Sequence, residues 1–235
     1  MSTRTNEFGQ PIGPPLPGWT PPERPARTTM EGEYCTVEPF DVEAHLADLF
    51  EAPSAIETDW TYLPYGPFGD VAAFEEWAQE RCLGDDPLFY TVRDNETGKA
   101  GGVASYLRIT PASGTIEVGH IHLGPALKGS RAATEAMFLM MEYAFSLGYR
   151  RYEWKCDALN APSRNAALRL GFTFEGTWRQ GTVYKGRNRD TDWFSITDAE
   201  WPRLREGFHR WLDAANFDAD GGQRHRLQDC VASGE

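Results

Sequence analysis

The stretch RYEWKCDALNAPSRNAALRLGFTFEG, residues 151–176, gathers reactive side-chain types at tight intervals. Cys156, Asn160 and Ser163 surround a turn between a strand-like run and a short helical run stopped by Gly171. A thiol, an amide and a hydroxyl at that spacing can hold a polar ligand and hand it a proton. Upstream, TIEVGHIHL (115–123) carries Glu117, His120 and His122, three candidate general bases. His120 has a suitable intrinsic pKa. On a regular strand Glu117 and Gly119 share one face and the two histidines the other; a bulge near Gly119 breaks that parity.

The junction GPALKGSRAATEAM (124–137) comes next. Here a strand ends and a helix begins near Lys128–Arg131. The first N–H groups of a helix lack internal partners, and its dipole favours an anion. Two cations at that end cost about 0.3–1 kcal/mol each, which a bound phosphate would remove. Each residue also has a plain structural role. Glu117 suits a strand ion pair, His120 and His122 packing, and Cys156 a small buried hydrophobe. Asn160 suits the N-cap of the short helix, with Pro162 just inside and Ser163 solvated at its third position. Lys128 and Arg131 can simply face water.

The elements that must position these residues are legible from periodicity and turn chemistry. YCTVEPF (34–40) reads as a strand and residues 41–52 as an amphipathic helix. An aromatic loop, WTYLPYGPFGD, precedes a second helix over 71–82. Strands over 88–94, 99–109 and 115–123 are joined by hairpin turns. A helix from Ser130 to Leu147 ends at Gly148. A strand over 149–158, a helix over 161–170, strands over 172–183 and 191–197, and a helix over 198–215 with Asp198 as N-cap complete the order. The strand–helix–strand unit at 115–157 is where parallel pairing is expected.

The chain has 235 residues, 40% apolar and 13% aromatic, enough for a core. Its net charge of −12 argues against holding nucleic-acid phosphates. Cys35, Cys82, Cys156 and Cys230 are dispersed, which fits free thiols and argues against a zinc site. No apolar leader or membrane span is legible. The chain reads as soluble and cytoplasmic. Residues 1–30 hold seven of the sixteen prolines and read as an extended arm, either disordered or lying along the domain or a partner subunit. Residues 31–217 form the domain, and 218–235 a polar, frayed tail.

Over 115–176 the chain resembles the acetyl-CoA core of the GNAT acetyltransferase superfamily, and within it the Rim-type branch of ribosomal-protein N-terminal alanine acetyltransferases. TIEVGHIHL resembles the splayed fourth strand of that family. KGSRAATEA resembles its Q/R-x-x-G-x-G/A pyrophosphate loop, WKCDALNAPS the fifth strand with its pantetheine-contacting Asn, and AALRLGFTFEG the closing stretch. With the flanking YCTVEPF and NRDTDWFSI the likeness extends over about 34–200. Lys128 stands where Gln or Arg is usual, Arg131 where Gly is usual, and Ala133 fits.

The resemblance implies an α/β (α+β) fold: a mixed, mostly antiparallel twisted sheet, a central splayed parallel pair, and helices on both faces. It implies direct acetyl transfer from acetyl-CoA to a primary amine, without metal. The implied cofactor-binding residues are His122, Leu123, Lys128, Gly129, Ser130, Arg131, Ala132, Ala133, Asn160 and Ser163. The implied catalytic set is Glu117 or His120 as base, and Ser163 or Cys156 as donor to the leaving thiolate. Ala167 stands where many members place a tyrosine acid. Cys156 as an acyl-carrying nucleophile is disfavoured because no partner base is evident. Asp59, Asp70 and Asp192 are candidates to receive a cationic amine. The acceptor is a peptide N-terminus or a small amine, and a homodimer stays open. The alternative is a non-catalytic acyl-CoA-binding sensor or interaction module, motivated by Arg131 and the missing tyrosine. A third is an interaction domain without cofactor.

Overall fold

Turn chemistry divides the chain into its elements, and caps fix the helix starts. The structure, a computed structural model, describes residues 4–51 and 57–233. The first three residues of the expected arm, Ala52 at the end of the expected first helix, and the last two residues of the expected tail lie outside the described residues. In chain order the strands are β1 (Arg4–Thr5), β2 (Pro11–Ile12), β3 (Met30–Glu31), β4 (Cys35–Pro39), β5 (Leu88–Asp94), β6 (Ala100–Thr110), β7 (Thr115–Leu123), β8 (Arg151–Asp157), β9 (Thr173–Tyr184) and β10 (Arg187–Thr197). The helices are α1 (Val42–Glu51), α2 (Val71–Arg81), α3 (Arg131–Ser146), α4 (Ala161–Arg169), α5 (Trp201–Leu212) and α6 (Leu227–Ala232).

β3 to β10 form one sheet in the order β3-β4-β5-β6-β7-β8-β10-β9. Only β7 and β8 pair in parallel among the described residues, because α3 carries the chain back across the sheet between them. Hairpin turns make the rest antiparallel. At the β9–β10 turn both Lys185 and Gly186 have positive φ, 48° and 68°, the paired left-handed geometry that matches strand twist. This hairpin runs to Tyr184 and restarts at Arg187, longer than the sequence pattern indicated.

Helices cover both faces. On one side α3 and α5 pack Ala136, Met140, Phe138 and Phe208 over Ile116, Tyr106 and Phe194. On the other, α1 and α2 bring Leu49, Phe74 and Trp77 to Phe89 and Val103. Truncating a fully buried residue such as Ile116 to alanine costs about 2–5 kcal/mol. α3 is also tied to β4 through its own carboxylate. Buried Glu135 accepts from the backbone N–H groups of Glu33, Tyr34 and Cys35 at 2.9, 2.7 and 2.8 Å.

Two expectations need correction, and the choice left open for the arm is settled. Asp198 does not cap α5; the helix begins at Trp201, and the Glu200 carboxylate turns back to accept from the Thr197 N–H and hydroxyl, both at 2.7 Å. The stretch beyond Phe217 is folded, not frayed. Its short α6 buries Leu227 and Cys230 beside α5, and Arg210 Nη2 reaches the Cys230 carbonyl at 2.7 Å. The arm is ordered along the domain: Tyr149 donates to the Glu23 carbonyl at 3.1 Å, Tyr90 to that of Ala26 at 2.8 Å, and Arg24 to that of Ile109 at 3.1 Å.

Candidate active site

β7 and β8 are held together by four residue pairs, Thr115↔Arg151 through Val118↔Trp154. Beyond them the strands part. β7 continues to Leu123 against β6, and β8 continues to Asp157 against β10. A bulge drives the divergence: between Val103↔His122 and Ser105↔Gly119, two steps on β6 oppose three on β7. His120 absorbs the extra residue at φ 51°, a left-handed conformation unusual for a non-glycine residue. The fork opens a cleft of about 700 Å³ whose lining includes Glu117, His120, Cys156, Asn160 and Ser163. Edges without strand partners carry N–H and C=O groups that need a ligand or water.

The three candidate bases separate. Glu117 is buried, and both its oxygens are engaged: Arg108 Nη1 lies 2.7 Å from Oε1 and Lys155 Nζ 2.7 Å from Oε2. Burial nevertheless lifts its proton affinity above the usual carboxylate range, against the opposing pull of the two cations. His120 lies against Tyr65, whose hydroxyl meets its Nδ1 at 3.0 Å, and against Phe89, and the residue is on the cleft lining. Burial first, then Arg108 and Arg189, pull its pKa down to about 4, so the ring is neutral near pH 7. His122 is turned away under the bulge. Its ring centroid lies 4.0 Å from that of Trp60 in the aromatic layer, and burial holds its pKa near 4. Its side chain packs, so only its backbone is available to a ligand.

On β8 and α4 the expected trio comes together. Asn160 caps α4, its Oδ1 accepting from Ser163 N at 3.1 Å. Ser163 Oγ accepts from Trp154 Nε1 at 3.0 Å. Burial raises the Cys156 pKa, which suits a packed thiol and not a nucleophilic thiolate. Ala167 is fully buried beneath α4.

The helix start at Ser130 carries its own cap. Ser130 Oγ accepts from Ala133 N at 3.0 Å, so that N–H is already taken. Leu123 ends β7 opposite Gly102. Lys128 pairs with Asp59 at 2.5 Å. The Arg131 guanidinium lies between the rings of Tyr34 and Phe217, 4.6 and 3.7 Å from their centroids. The protein therefore offsets part of the cost of two cations at this helix end by itself. Gly129, Ser130, Arg131 and Ala132 line a second cavity of about 780 Å³ with Arg169 and Trp211. Arg169 reaches Thr134 Oγ1 at 2.7 Å. The same cavity is also lined by Glu33, Asp94 and Glu96, so the two arginines stand among acids there.

Sequence reasoning missed Arg108, Lys155 and Trp193 on the cleft wall, whereas Trp178 and Arg189, also on it, belong to the stretch up to Asp192 expected at the acceptor side. Lys155 is buried, bridges Glu117 and Glu153 at 2.7 and 2.8 Å, and sits 3.7 Å over Trp193. Of the acids expected at the acceptor side, Asp59 lines the cleft but is spent on Lys128. Asp70 is the α2 N-cap, bonded to Ala73 N at 2.9 Å. Asp192 is fully buried, paired with Arg164 and bonded by Thr177 Oγ1 at 2.6 Å. Neither Asp70 nor Asp192 faces an acceptor.

Comparison with known proteins joins this geometry to relatives. A family model described as the acetyltransferase (GNAT) domain matches residues 35–173, more than half of the chain. The crystal structure of a GCN5-related N-acetyltransferase from Brucella melitensis superposes with a TM-score of 0.90 and 46% identity, covering 92% of this chain and 100% of that one. An uncharacterized N-acetyltransferase p20 from Bacillus licheniformis is 29% identical over 144 residues, 60% of this chain and 80% of its own. The ribosomal-protein-serine acetyltransferase of Escherichia coli is 38% identical over 101 residues, 42% of this chain and 56% of its own.

Proposed function

This chain belongs to the GNAT acetyltransferase family, and from that footing we propose that it moves an acetyl group from acetyl-CoA directly to a primary amine in the fork between β7 and β8. The observation that carries the reading is the break in parallel pairing after Val118↔Trp154, with His120 of β7 and Ser163 of α4 both on the lining of the opening. Bound acetyl-CoA supplies an activated thioester acyl group. The open edges of the fork and Asn160 would hold its pantetheine arm, and the α3 start with Arg131 and Arg169 its phosphates.

The amine must be neutral to attack. Near pH 7 an alkylammonium costs about 4–5 kcal/mol to deprotonate, an α-amino group only about 1 kcal/mol. Nitrogen becomes strongly acidic once its lone pair is shared, so a neutral imidazole of low basicity still accepts its proton. His120, on the cleft lining, is the group proposed for that, directly or through water. Glu117 holds Lys155 and Arg108 in place and is the second candidate. N–H groups at the bulge would stabilise charge growing on the carbonyl oxygen. At the other side, Trp154 polarises the Ser163 hydroxyl, which suits it to protonate the departing thiolate.

The acceptor is a protein N-terminus or a small amine. The likeness to a ribosomal-protein-serine acetyltransferase favours the N-terminus. Coenzyme A release measured across N-terminal peptides, polyamines and aminoglycosides tests the reading. His120→Ala and Ser163→Ala should each lower turnover at least about tenfold, or about 1.4 kcal/mol. Thermal stabilisation by acetyl-CoA without thiol release to any amine would instead indicate a binding module.

A further inference from the structure

Two arginines on the acceptor side of the cleft are not used by the transfer step. Arg108 sits on a bulge in β6, where the register to β7 shifts between Leu107 and Thr110, and its φ is 47°. Asp86 holds that strained turn from behind, accepting from the N–H groups of Arg108 and Ile109 at 2.8 and 3.0 Å. The side chain is 60% exposed, yet one guanidinium nitrogen is anchored 2.7 Å from Glu117. That leaves most of its five donors free. Arg189 lies on β10 beside a second register shift, 5.7 Å over the Tyr184 ring. Its Nε is buried with no hydrogen-bond partner among the described residues. A buried donor left without a partner is costly, so a ligand that satisfies it gains affinity.

The acids nearby do not neutralise Arg189. Asp157 is taken by the Tyr184 hydroxyl and Leu159 N, both at 2.8 Å. Asp190 accepts from Gln180 N and Asn188 Nδ2 at 2.8 and 2.9 Å. Glu117 is shared by Lys155 and Arg108, and Asp59 pairs with Lys128. Both arginines act on the His120 ring, so both lie near where the amine must lose its proton. The cleft lining sets Arg108, Lys155 and Arg189 against Asp59, Glu117 and Asp157, an even balance in a chain of net charge −12.

Resting on the acetyl-transfer reading, we propose that the amine acceptor carries an anionic group, a carboxylate or a phosphate, which Arg189 and Arg108 grip so that the amine lies against His120. Guanidinium suits such oxyanions because its planar fork meets two oxygens at once. The anion belongs either to acidic side chains beside a peptide N-terminus or to a small amino acid or phosphorylated amine.

The test uses matched acceptors on the full chain: N-terminal peptides with Glu against Gln at the second and third positions, an amino acid against its amide, and phosphoethanolamine against ethanolamine. The anionic member of at least one pair should be preferred by about tenfold or more in kcat/KM, chiefly through KM. The pair that shows the preference identifies the source. Arg189→Gln should erase most of that ratio, and Arg189→Lys should restore part of it. Calorimetry on enzyme saturated with coenzyme A reads the same preference without turnover. No transfer to any acceptor would overturn the acetyl-transfer reading. Equal handling of paired members in rate and in binding, or no binding of any member, would overturn the anionic acceptor.

Discussion

Lys155 and Glu117 form an ion pair at 2.7 Å across the point where the two central strands separate. Their side chains are only 7% and 4% exposed. Removing one member of such a pair leaves a buried charge and costs about 3–5 kcal/mol. Lys155→Met should therefore lower unfolding free energy by about 3 kcal/mol, read from urea denaturation. Adding Glu117→Gln to it should recover part of the loss. A single variant as stable as the parent would show that the pair is solvated.

His122 makes stability depend on pH. Its folded pKa is near 4, against about 6.5 when unfolded, because burial disfavours the charged ring. Its contribution is complete above pH about 6.5, falls as acid protonates the unfolded chain, and levels off near pH 4. At about 1.36 kcal/mol per unit the loss is about 3 kcal/mol at most. His122→Phe, which keeps a ring against Trp60, should flatten the profile between pH 6.5 and 4 relative to the parent.

Ser163 and Cys156 both line the cleft, and the proposed mechanism gives the leaving group to the hydroxyl. Ser163→Ala should lower kcat about tenfold or more, with little change in the KM for acetyl-CoA. Cys156→Ala should cost stability more than rate. Mass spectrometry of enzyme mixed with acetyl-CoA alone should show no acetylated cysteine; a stable adduct at Cys156 would reverse the assignment.

Arg131 and Arg169 frame the second cavity. Each alanine variant should weaken acetyl-CoA binding by about tenfold, the scale of a charge-assisted hydrogen bond, measured by calorimetry. The affinity of the parent should fall as salt rises. Unchanged affinity in both variants would place the phosphates elsewhere.

The sequence exposed what depends on local chemistry. β7 spans Thr115–Leu123 as its alternation indicated, and Ser130 and Asn160 cap the helices that begin after them. The bulge beside Gly119 was legible as an option, because a glycine just ahead of His120 and His122 can break the two-residue period. What escaped depends on partners far along the chain. Lys155 meets Glu117 from the neighbouring strand, and Arg108 reaches the same carboxylate from β6. Asp192 looked like a surface acid until strand pairing buried it beside Arg164. Asp70 did carry a signal, a helix-capping acid before VAAFEEW.

The four-rung joint between β7 and β8 has a consequence for how the molecule breathes. Amide protons on the facing edges beyond Val118 and Trp154 are not locked to a neighbouring strand, so they should trade with deuterated water while those inside the rungs persist. A carrier seated there takes the place of the missing ladder. Isotope uptake by this short segment would thus time the arrival and departure of the donor, with no acceptor present.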